Sequence, residues 1–437
     1  MTKRFWRVVG CIYTLLLISM ISLQGEVIIL ALPLLAYLAA AALFAPPPVR
    51  LKVKRELDMS VARQNLPVKV KMSLENEGPG ADELSIEDDL PDDMEILEGE
   101  PHKRQPLAEA EKIEYEYTIR SKRGSHSFRG LTVEQSEHFG LLTQSKYLPT
   151  QVDYQPVPET LPLGEIEIHP QASRGFYGPI AARQSGHGMS FWGVREYQMG
   201  DTRRRINWKI SARHPQTLFT NQFEQERIAD VGLILDAREQ TNLRLTERDG
   251  TEMRPLFEYS VLATAALAEA FLAQGHRVSL LSYGYGMQRV FPGYGKTQRQ
   301  NILRTLAKVK PGSSYAMESL ERLPIRLFAP RSQLVMVTPL SPEDYPAFLR
   351  LRKYGYDVLL VSPNPVAFEE QALRGMVSHV ELQHARRLAY LERNLLLRKL
   401  LRLGVQVVDW PVDQPLEKAL HNALSQPFIR RNLKVMI

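Results

Sequence analysis

The sequence has very little cysteine: Cys11 is the only one among 437 residues. An intrachain disulfide needs two cysteines, so a disulfide framework is excluded, and a zinc site made of cysteine thiolates is excluded with it. Enzyme signatures are lacking as well. The sequence has no Walker-type phosphate loop, no zinc-protease pair of histidines and no Gly-x-Ser-x-Gly elbow. These absences count against the commonest nucleotide-dependent, metalloprotease and serine-hydrolase enzymes.

The basic excess of the chain is small and unevenly placed. The net charge is +6, and residues 1–55 hold seven basic side chains against one acidic side chain, so they account for all of it. Residues 56–160 carry 11 basic and 22 acidic side chains, whereas residues 161–437 carry 37 basic and 26 acidic ones. The two soluble parts therefore either attract each other, or the C-terminal part favours an acidic partner. We expect no nucleic acid as the partner.

Two apolar runs, 8–23 and 27–45, open the chain and are separated by Gln24-Gly25-Glu26. They predict a transmembrane helical hairpin over residues 1–50. The basic residues at its outer ends are Lys3, Arg4 and Arg7 before the first run and Arg50, Lys52, Lys54 and Arg55 after the second. The positive-inside rule then predicts the cytoplasmic (inner) membrane, with the soluble domains facing the cytoplasm. A cleaved signal peptide is the alternative, and the second run with its basic end disfavours it.

Residues 51–155 have the pattern of a β-module. Val68, Val70 and Met72 alternate with lysines, which is the period of a half-buried strand. Residues 113–119 alternate in the same way, and turn residues such as those at 76–80 separate the strands. Short strands divided by turns predict a β-sandwich.

Residues 225–437 predict an α/β domain. The apolar run Val231–Leu235 ends in Asp236, and further apolar runs then alternate with helical patterns to the end of the chain. This alternation predicts an open parallel sheet with helices on both faces, where ligands bind at the carboxyl ends of the strands. Asp236, Thr338 and Ser362 lie at such ends. The helix Arg386–Arg402 either packs its leucines on the sheet or lies on a membrane surface.

The densest polar segment lies in the predicted linker, residues 156–224. Its prominent residues are Arg195, Glu196, Tyr197, Gly200, Asp201, Arg205, Asn207, Trp208, Lys209, Ser211 and Arg213. Gly200-Asp201 is typical of a turn in which the aspartate caps the next helix. Basic and aromatic side chains together bind phosphates or nucleic acid, or they anchor an interface between the linker and an acidic surface such as the β-module. We favour the interface, and we expect these residues to bind a partner or to hold the local structure.

These residues also resemble the characteristic segment of a known protein family. The segments Arg195-Glu196-Tyr197, Gly200-Asp201 and Arg205 to Arg213 resemble the hallmark of the bacterial family known as domain of unknown function 58. Lys122-Arg123-Gly124 and Phe139-Gly140-Leu141 resemble further family elements. The resemblance implies that the C-terminal half is similar to a von Willebrand factor type A domain, which is Rossmann-like. It also implies association with a MoxR-type AAA+ ATPase.

The resemblance bears on metal binding too. Type A domains hold a metal with an Asp-x-Ser-x-Ser segment and with residues from other loops. The corresponding residues here are Asp236, Arg238 and Gln240, with Thr338 where a later aspartate is expected and Ser313 or Ser314 in place of a threonine. Arg238 and Gln240 replace both serines, and one carboxylate holds Mg²⁺ poorly. We therefore expect a degenerate site with no metal, in which Arg238 places its charge where the ion would lie, and no other cofactor.

The combined expectation is a membrane-anchored, non-enzymatic interaction or scaffold protein without catalytic residues. It would present a type A-like domain to a cytoplasmic partner, a MoxR-type AAA+ ATPase, in protein maturation or envelope assembly. Two alternatives stay open. One is a metal-dependent hydrolase that uses Asp236, and the other is a nucleic-acid binder that uses the basic patch of residues 203–213.

Overall fold

The computed structural model divides the chain into two units, residues 1–157 and 158–437. It describes residues 2–22, 25–44, 49–58, 63–91, 93–136, 141–166, 168, 180–214, 216–246, 250–313, 319–373 and 379–425. The spacer predicted at 45–48, the family element at Phe139-Gly140 and Ser314 lie outside the described residues.

The first unit begins with apolar helices: α1 (Lys3–Ser22), α2 (Glu26–Ile29) and α3 (Leu32–Leu43). Lys3–Ser22 and Glu26–Leu43 are each long and apolar enough to cross a membrane, and both are mostly exposed. The two predicted apolar helices are thus confirmed, and they are compatible with a membrane anchor. The second is interrupted at Leu30 and Ala31, just before Pro33. Proline has no N–H to donate to the preceding turn, so a break is expected there.

The rest of the first unit consists of two four-stranded antiparallel sheets. Their orders are β1-β2-β6-β4 and β5-β3-β7-β8. The strands are β1 (Leu51–Leu57), β2 (Val68–Asn76), β3 (Ala81–Asp88), β4 (Met94–Glu98), β5 (His102–Leu107), β6 (Lys112–Ser121), β7 (His126–Ser136) and β8 (Thr143–Tyr154). Val70 and Ile119 from one sheet and Ile86 and Val133 from the other share one buried cluster. The sheets therefore pack face to face as a β-sandwich, because alternate residues of each strand point inward.

The second unit, which we call the α/β unit, contains a six-stranded sheet of order β13-β12-β11-β14-β15-β16. Its strands are β11 (Asp230–Ala237), β12 (Arg277–Gly284), β13 (Met287–Gly293), β14 (Gln333–Val337), β15 (Asp357–Pro363) and β16 (Gln406–Trp410). Five strands are parallel, and β13 runs antiparallel at the edge. An all-parallel sheet was expected. The two residues between β12 and β13 allow only a hairpin, since a parallel connection needs a longer crossover.

Helices cover both faces of this sheet. α7 and α9 share a buried cluster with Ile234, Met336 and Leu360, while α5 packs on the opposite face. The helices of the unit are α4 (Trp208–Ser211), α5 (Leu256–Ala273), α6 (Gly295–Lys308), α7 (Tyr345–Lys353), α8 (Pro365–Leu373), α9 (His379–Arg402) and α10 (Leu416–Leu424). α5 is also apolar enough to span a membrane, but 78% of it is buried inside the unit. It is therefore a core helix.

The predicted linker contains regular structure. Over residues 180–227 the structure has an antiparallel ribbon of two strands, β9 (Ile180–Glu196) and β10 (Phe219–Arg227). No strand was predicted here, because residues 180–196 lack the alternation of apolar and polar residues that marks a half-buried strand. The hallmark residues connect the two strands of this ribbon.

Candidate functional site

At the carboxyl edge of the sheet, Arg238 binds two aspartates. Asp236, at the end of β11, is fully buried, and Arg238 reaches both of its carboxylate oxygens. Arg238 Nε lies 2.9 Å from Oδ1 and Nη2 lies 2.7 Å from Oδ2. The same Nη2 lies 2.9 Å from Oδ1 of Asp344, and Thr338 Oγ1 donates to Asp236 Oδ2 at 2.7 Å. One guanidinium thus bridges two buried carboxylates.

The electrostatics of this cluster are those of a buried ion pair. Burial opposes the charge of Arg238, but the carboxylates of Asp236 and Asp344 outweigh it, so its pKa is raised. Burial raises the pKa of Asp344, and Arg238 counteracts part of that increase. The three charges therefore depend on one another, because none of them contacts bulk water.

The residues at this edge do not fit a divalent cation. Both oxygens of Asp236 already accept hydrogen bonds from Arg238 or Thr338, and the guanidinium brings a positive charge to them. Within the described part of the chain, no group of three or more His, Cys, Asp or Glu residues could hold a metal ion. Ser313 and Gln240 are exposed. That the protein functions without a metal stays a prediction.

A second arginine lies along the same edge. Arg393 of α9 contacts Ser362 Oγ at 2.9 Å, Asp409 Oδ1 at 2.7 Å and the carbonyl oxygen of Pro339 at 3.0 Å. Of the three residues predicted at the carboxyl ends of strands, Asp236 and Thr338 lie in the first cluster and Ser362 in the second. Asp344, Arg393 and Asp409 were not predicted. The capping pattern Ser341-Pro-Glu-Asp344 was the one available signal for Asp344.

The first half of the hallmark segment is a turn held by its own side chains. Asp201 Oδ1 accepts from Arg195 Nη2 at 2.7 Å, and its Oδ2 accepts from the backbone N–H of Gln198 at 2.9 Å. Tyr197 donates its hydroxyl to the carbonyl oxygen of Asp201 at 3.2 Å. Gly200 has φ +109°, a conformation that favours glycine. Asp201 thus closes the turn and does not cap a helix as expected, because its carboxylate is already bound to that turn.

The second half of the hallmark segment is hydrogen-bonded to strand β10 of the ribbon. Asn207 caps α4, since its Oδ1 accepts from the N–H of Ile210 at 3.1 Å, and its Nδ2 donates to Asn221 Oδ1 at 2.7 Å. Ser211 Oγ accepts from the N–H of Phe219 at 2.9 Å. The carbonyl oxygen of Arg205 accepts from Thr220 Oγ1 at 3.2 Å. Glu196, at the end of β9, pairs with Phe219 of β10.

The remaining hallmark residues face solvent. Trp208 has 67% of its surface exposed, and Lys209 and Arg213 are exposed beside it. Met199, Arg203 and Arg204, in the same segment, are exposed too. We use the name Trp208 surface for the six exposed residues Met199, Arg203, Arg204, Trp208, Lys209 and Arg213. The framework thus holds the large indole of Trp208 mostly in solvent.

The solved structures that match this chain are similar to it only at a low level. The CARDB domain of a Pyrococcus furiosus protein is 14% identical, with a TM-score of 0.19, and the match covers 25% of this chain and 96% of that domain. A PapD-like domain of human CEP192 is 12% identical, with a TM-score of 0.18, covering 26% of this chain and 89% of that one. Scores this low carry no argument about fold or function.

Sequence comparisons are more specific. The uncharacterized protein YeaD of Bacillus subtilis (strain 168) is 28% identical over 274 residues, or 60% of this chain. This chain spans 63% of that relative's length. The family model described as protein of unknown function DUF58 matches residues 193–385. That match begins just before Arg195 and includes the whole Trp208 surface, Asp236 and Arg238. Residues 193–385 of the chain are thus similar to the DUF58 family, which supports the resemblance that the hallmark residues indicated.

Proposed function

We propose that this protein is a membrane-anchored interaction protein whose α/β unit binds a cytoplasmic partner through the Trp208 surface. One observation carries the proposal: the hallmark divides into a hydrogen-bonded framework and an exposed tryptophan flanked by basic side chains. Tryptophan and arginine are the residues that dominate binding energies at protein interfaces. The positive charge around Trp208 favours an acidic surface on the partner.

We propose that the α/β unit is similar to the von Willebrand factor type A fold. Its carboxyl edge supports a function without catalysis. Asp236 ends the first central strand, as the metal-binding aspartate of a type A domain does, and Thr338 reaches it from the neighbouring strand. We propose that the charge of Arg238, which pairs with Asp236 and Asp344, replaces the charge of the cation. A hydrolase that uses Asp236 would need carboxylate oxygens free for a metal, and these oxygens are engaged.

The partner that we propose is a MoxR-type AAA+ ATPase, acting in protein maturation or envelope assembly. The support is the family resemblance together with a basic, aromatic surface. The unit's excess of basic over acidic side chains also favours an acidic partner.

Recovery of partners from membranes tests the proposal. The tagged full-length chain is solubilised from membranes, and the bound proteins are identified by mass spectrometry. We expect an AAA+ ATPase with the native chain and at least a tenfold loss with Trp208→Ala, the size of a hot-spot truncation. Tyr354→Ala, at another exposed aromatic of the same unit, is the matched control and should bind normally. Recovery of no partner, or equal recovery with Trp208→Ala, would contradict the proposal.

The same surface supports a second candidate, the binding of nucleic acid, because the segment that carries the exposed indole also carries exposed basic side chains. Such binding would weaken steeply with salt, by a slope of roughly 0.7 to 0.9 per phosphate contacted on a log–log plot. Filter binding at low salt separates the candidates. Salt-sensitive retention that Trp208→Ala reduces would favour nucleic acid, and absent retention would leave the protein partner.

A further inference from the structure

Helix α9 carries apolar residues on two opposite sides. Leu396, Leu397 and Leu400 are buried against the sheet. Three other leucines, which we call the outer leucine stripe, are largely in solvent: Leu388 is 62% exposed, Leu391 61% and Leu395 58%. At about 100° per residue, the two stripes lie roughly 160° apart around the helix axis. The sheet therefore accounts for one stripe and leaves the other without a role in the core.

The outer leucine stripe is bordered by positive charge. Arg387 and Arg398 flank it on one side, Lys399 lies on the other, and Arg402 continues it by two turns. All four side chains are exposed. Between residues 383 and 402, all of which the structure describes, Glu392 is the single exposed acidic residue. A leucine stripe bordered by arginine and lysine is the pattern of a helix that lies in the surface of an anionic bilayer.

We propose that α9 docks the α/β unit on anionic phospholipid through the outer leucine stripe. The leucines enter the boundary between headgroups and acyl chains, while the long basic side chains reach the phosphates. The occupant is lipid, not an acidic protein helix, because the same chain has two N-terminal segments, Lys3–Ser22 and Glu26–Leu43, that are each long and apolar enough to anchor it in a bilayer. Tethering makes the lipid surface available at a high effective concentration. The inference rests on the anchor and not on the Trp208 surface.

Fluorescence in nanodiscs tests this docking on the full-length chain. Cys11→Ser removes the one native thiol, and Leu391→Cys then carries an environment-sensitive dye at an exposed position. Nanodiscs contain spin-labelled lipid in either phosphatidylcholine alone or a mixture with phosphatidylglycerol. We expect a blue shift and quenching in the anionic discs and neither in the neutral ones. A dye at Asn301→Cys, exposed on α6 on the opposite face of the sheet, should stay unquenched in both.

Reversing the charge of basic residues beside the outer leucine stripe provides a second test of the docking. Arg387→Glu together with Arg402→Glu, in the chain labelled at position 391, should abolish the quenching without lowering the thermal unfolding temperature. Three results would overturn the proposal. They are no quenching in anionic discs, equal quenching in both lipids, and a dye shielded from aqueous iodide without quenching by lipid. The last would identify a protein, or a second copy of the chain, as the occupant.

Discussion

At the scale of single residues, Arg238 joins two buried carboxylates. It is buried between Asp236 and Asp344, and its charge offsets that of two carboxylates that have left water. Replacing a buried ion pair by apolar groups is often neutral, whereas removing one partner leaves an uncompensated charge. The cluster is therefore sensitive to the loss of its arginine alone.

Arg238→Ala is expected to destabilise the α/β unit by about 3–5 kcal/mol, the usual cost of breaking a buried ion pair. The measurement is thermal unfolding of the purified full-length chain, followed by circular dichroism. Arg326→Ala, at an exposed arginine of the same unit, is the control and should change the unfolding temperature little. Equal effects of the two substitutions would contradict a role for the bridge.

The same variant should depend on pH in a defined direction. Burial already raises the pKa of Asp344, and the loss of Arg238 removes the charge that counteracts this increase. An acid whose pKa is higher in the folded state takes up a proton more readily there, so acidification relieves the buried charge. The loss of stability in Arg238→Ala should therefore be smaller at about pH 5 than at about pH 8. A larger loss at the lower pH would contradict this account.

At the scale of elements, the close approach of β11 and β12 depends on a glycine. Gly284 pairs with Ala237 across the two strands. A Cβ at position 284 would lie 2.2 Å from the carbonyl oxygen of Ala237, which is backbone and cannot rotate away. The hairpin that follows also contains Gly286, where a Cβ would meet nothing within 4 Å. The two glycines thus form a natural comparison.

Gly284→Ala is expected to cost about 1–3 kcal/mol, as overpacking does, because one of two paired strands must shift. Gly286→Ala should change stability by much less. Chemical denaturation of the two variants, followed by tryptophan fluorescence, measures the difference. If Gly286→Ala were the more damaging substitution, the packing of β11 on β12 would differ from that described.

The elements also show what a sequence reveals about this fold. The continuous apolar run Val231–Leu235 identified the central strand, because local patterns record burial directly. The ribbon strand β9 was missed, since its residues show no alternation. Asp344 lies 106 positions from Arg238, and the bridge between them exists only once the chain is folded. Sequence patterns therefore predicted the central strands and the position of Asp236, but not the ribbon or the partners that close the site around Asp236.

At the scale of the whole molecule, the proposed function depends on which side of the membrane the soluble units face. The two apolar N-terminal helices are compatible with a hairpin, and basic residues border both of its ends. We proposed from this charge that the soluble units face the cytoplasm. A cytoplasmic ATPase can bind the Trp208 surface only with that orientation.

Thiol labelling tests the orientation in the Cys11→Ser background. In spheroplasts, a membrane-impermeant maleimide should label Gly25→Cys, in the turn between the helices. It should label Lys308→Cys, in the α/β unit, only after lysis, because the bilayer then no longer separates reagent and protein. The opposite pattern would place the soluble units outside the cytoplasm and would rule out a cytoplasmic partner.

The bridge at the carboxyl edge has a final consequence. An ion held by a protein exchanges with the solution, so its occupancy follows the cell's supply and falls when a chelator is added. The guanidinium of Arg238 is joined to the chain by covalent bonds and has no dissociation equilibrium of its own. The charge and shape of this edge should therefore stay constant through changes in divalent-ion concentration. This edge therefore lacks the switch that an exchangeable ion would have provided.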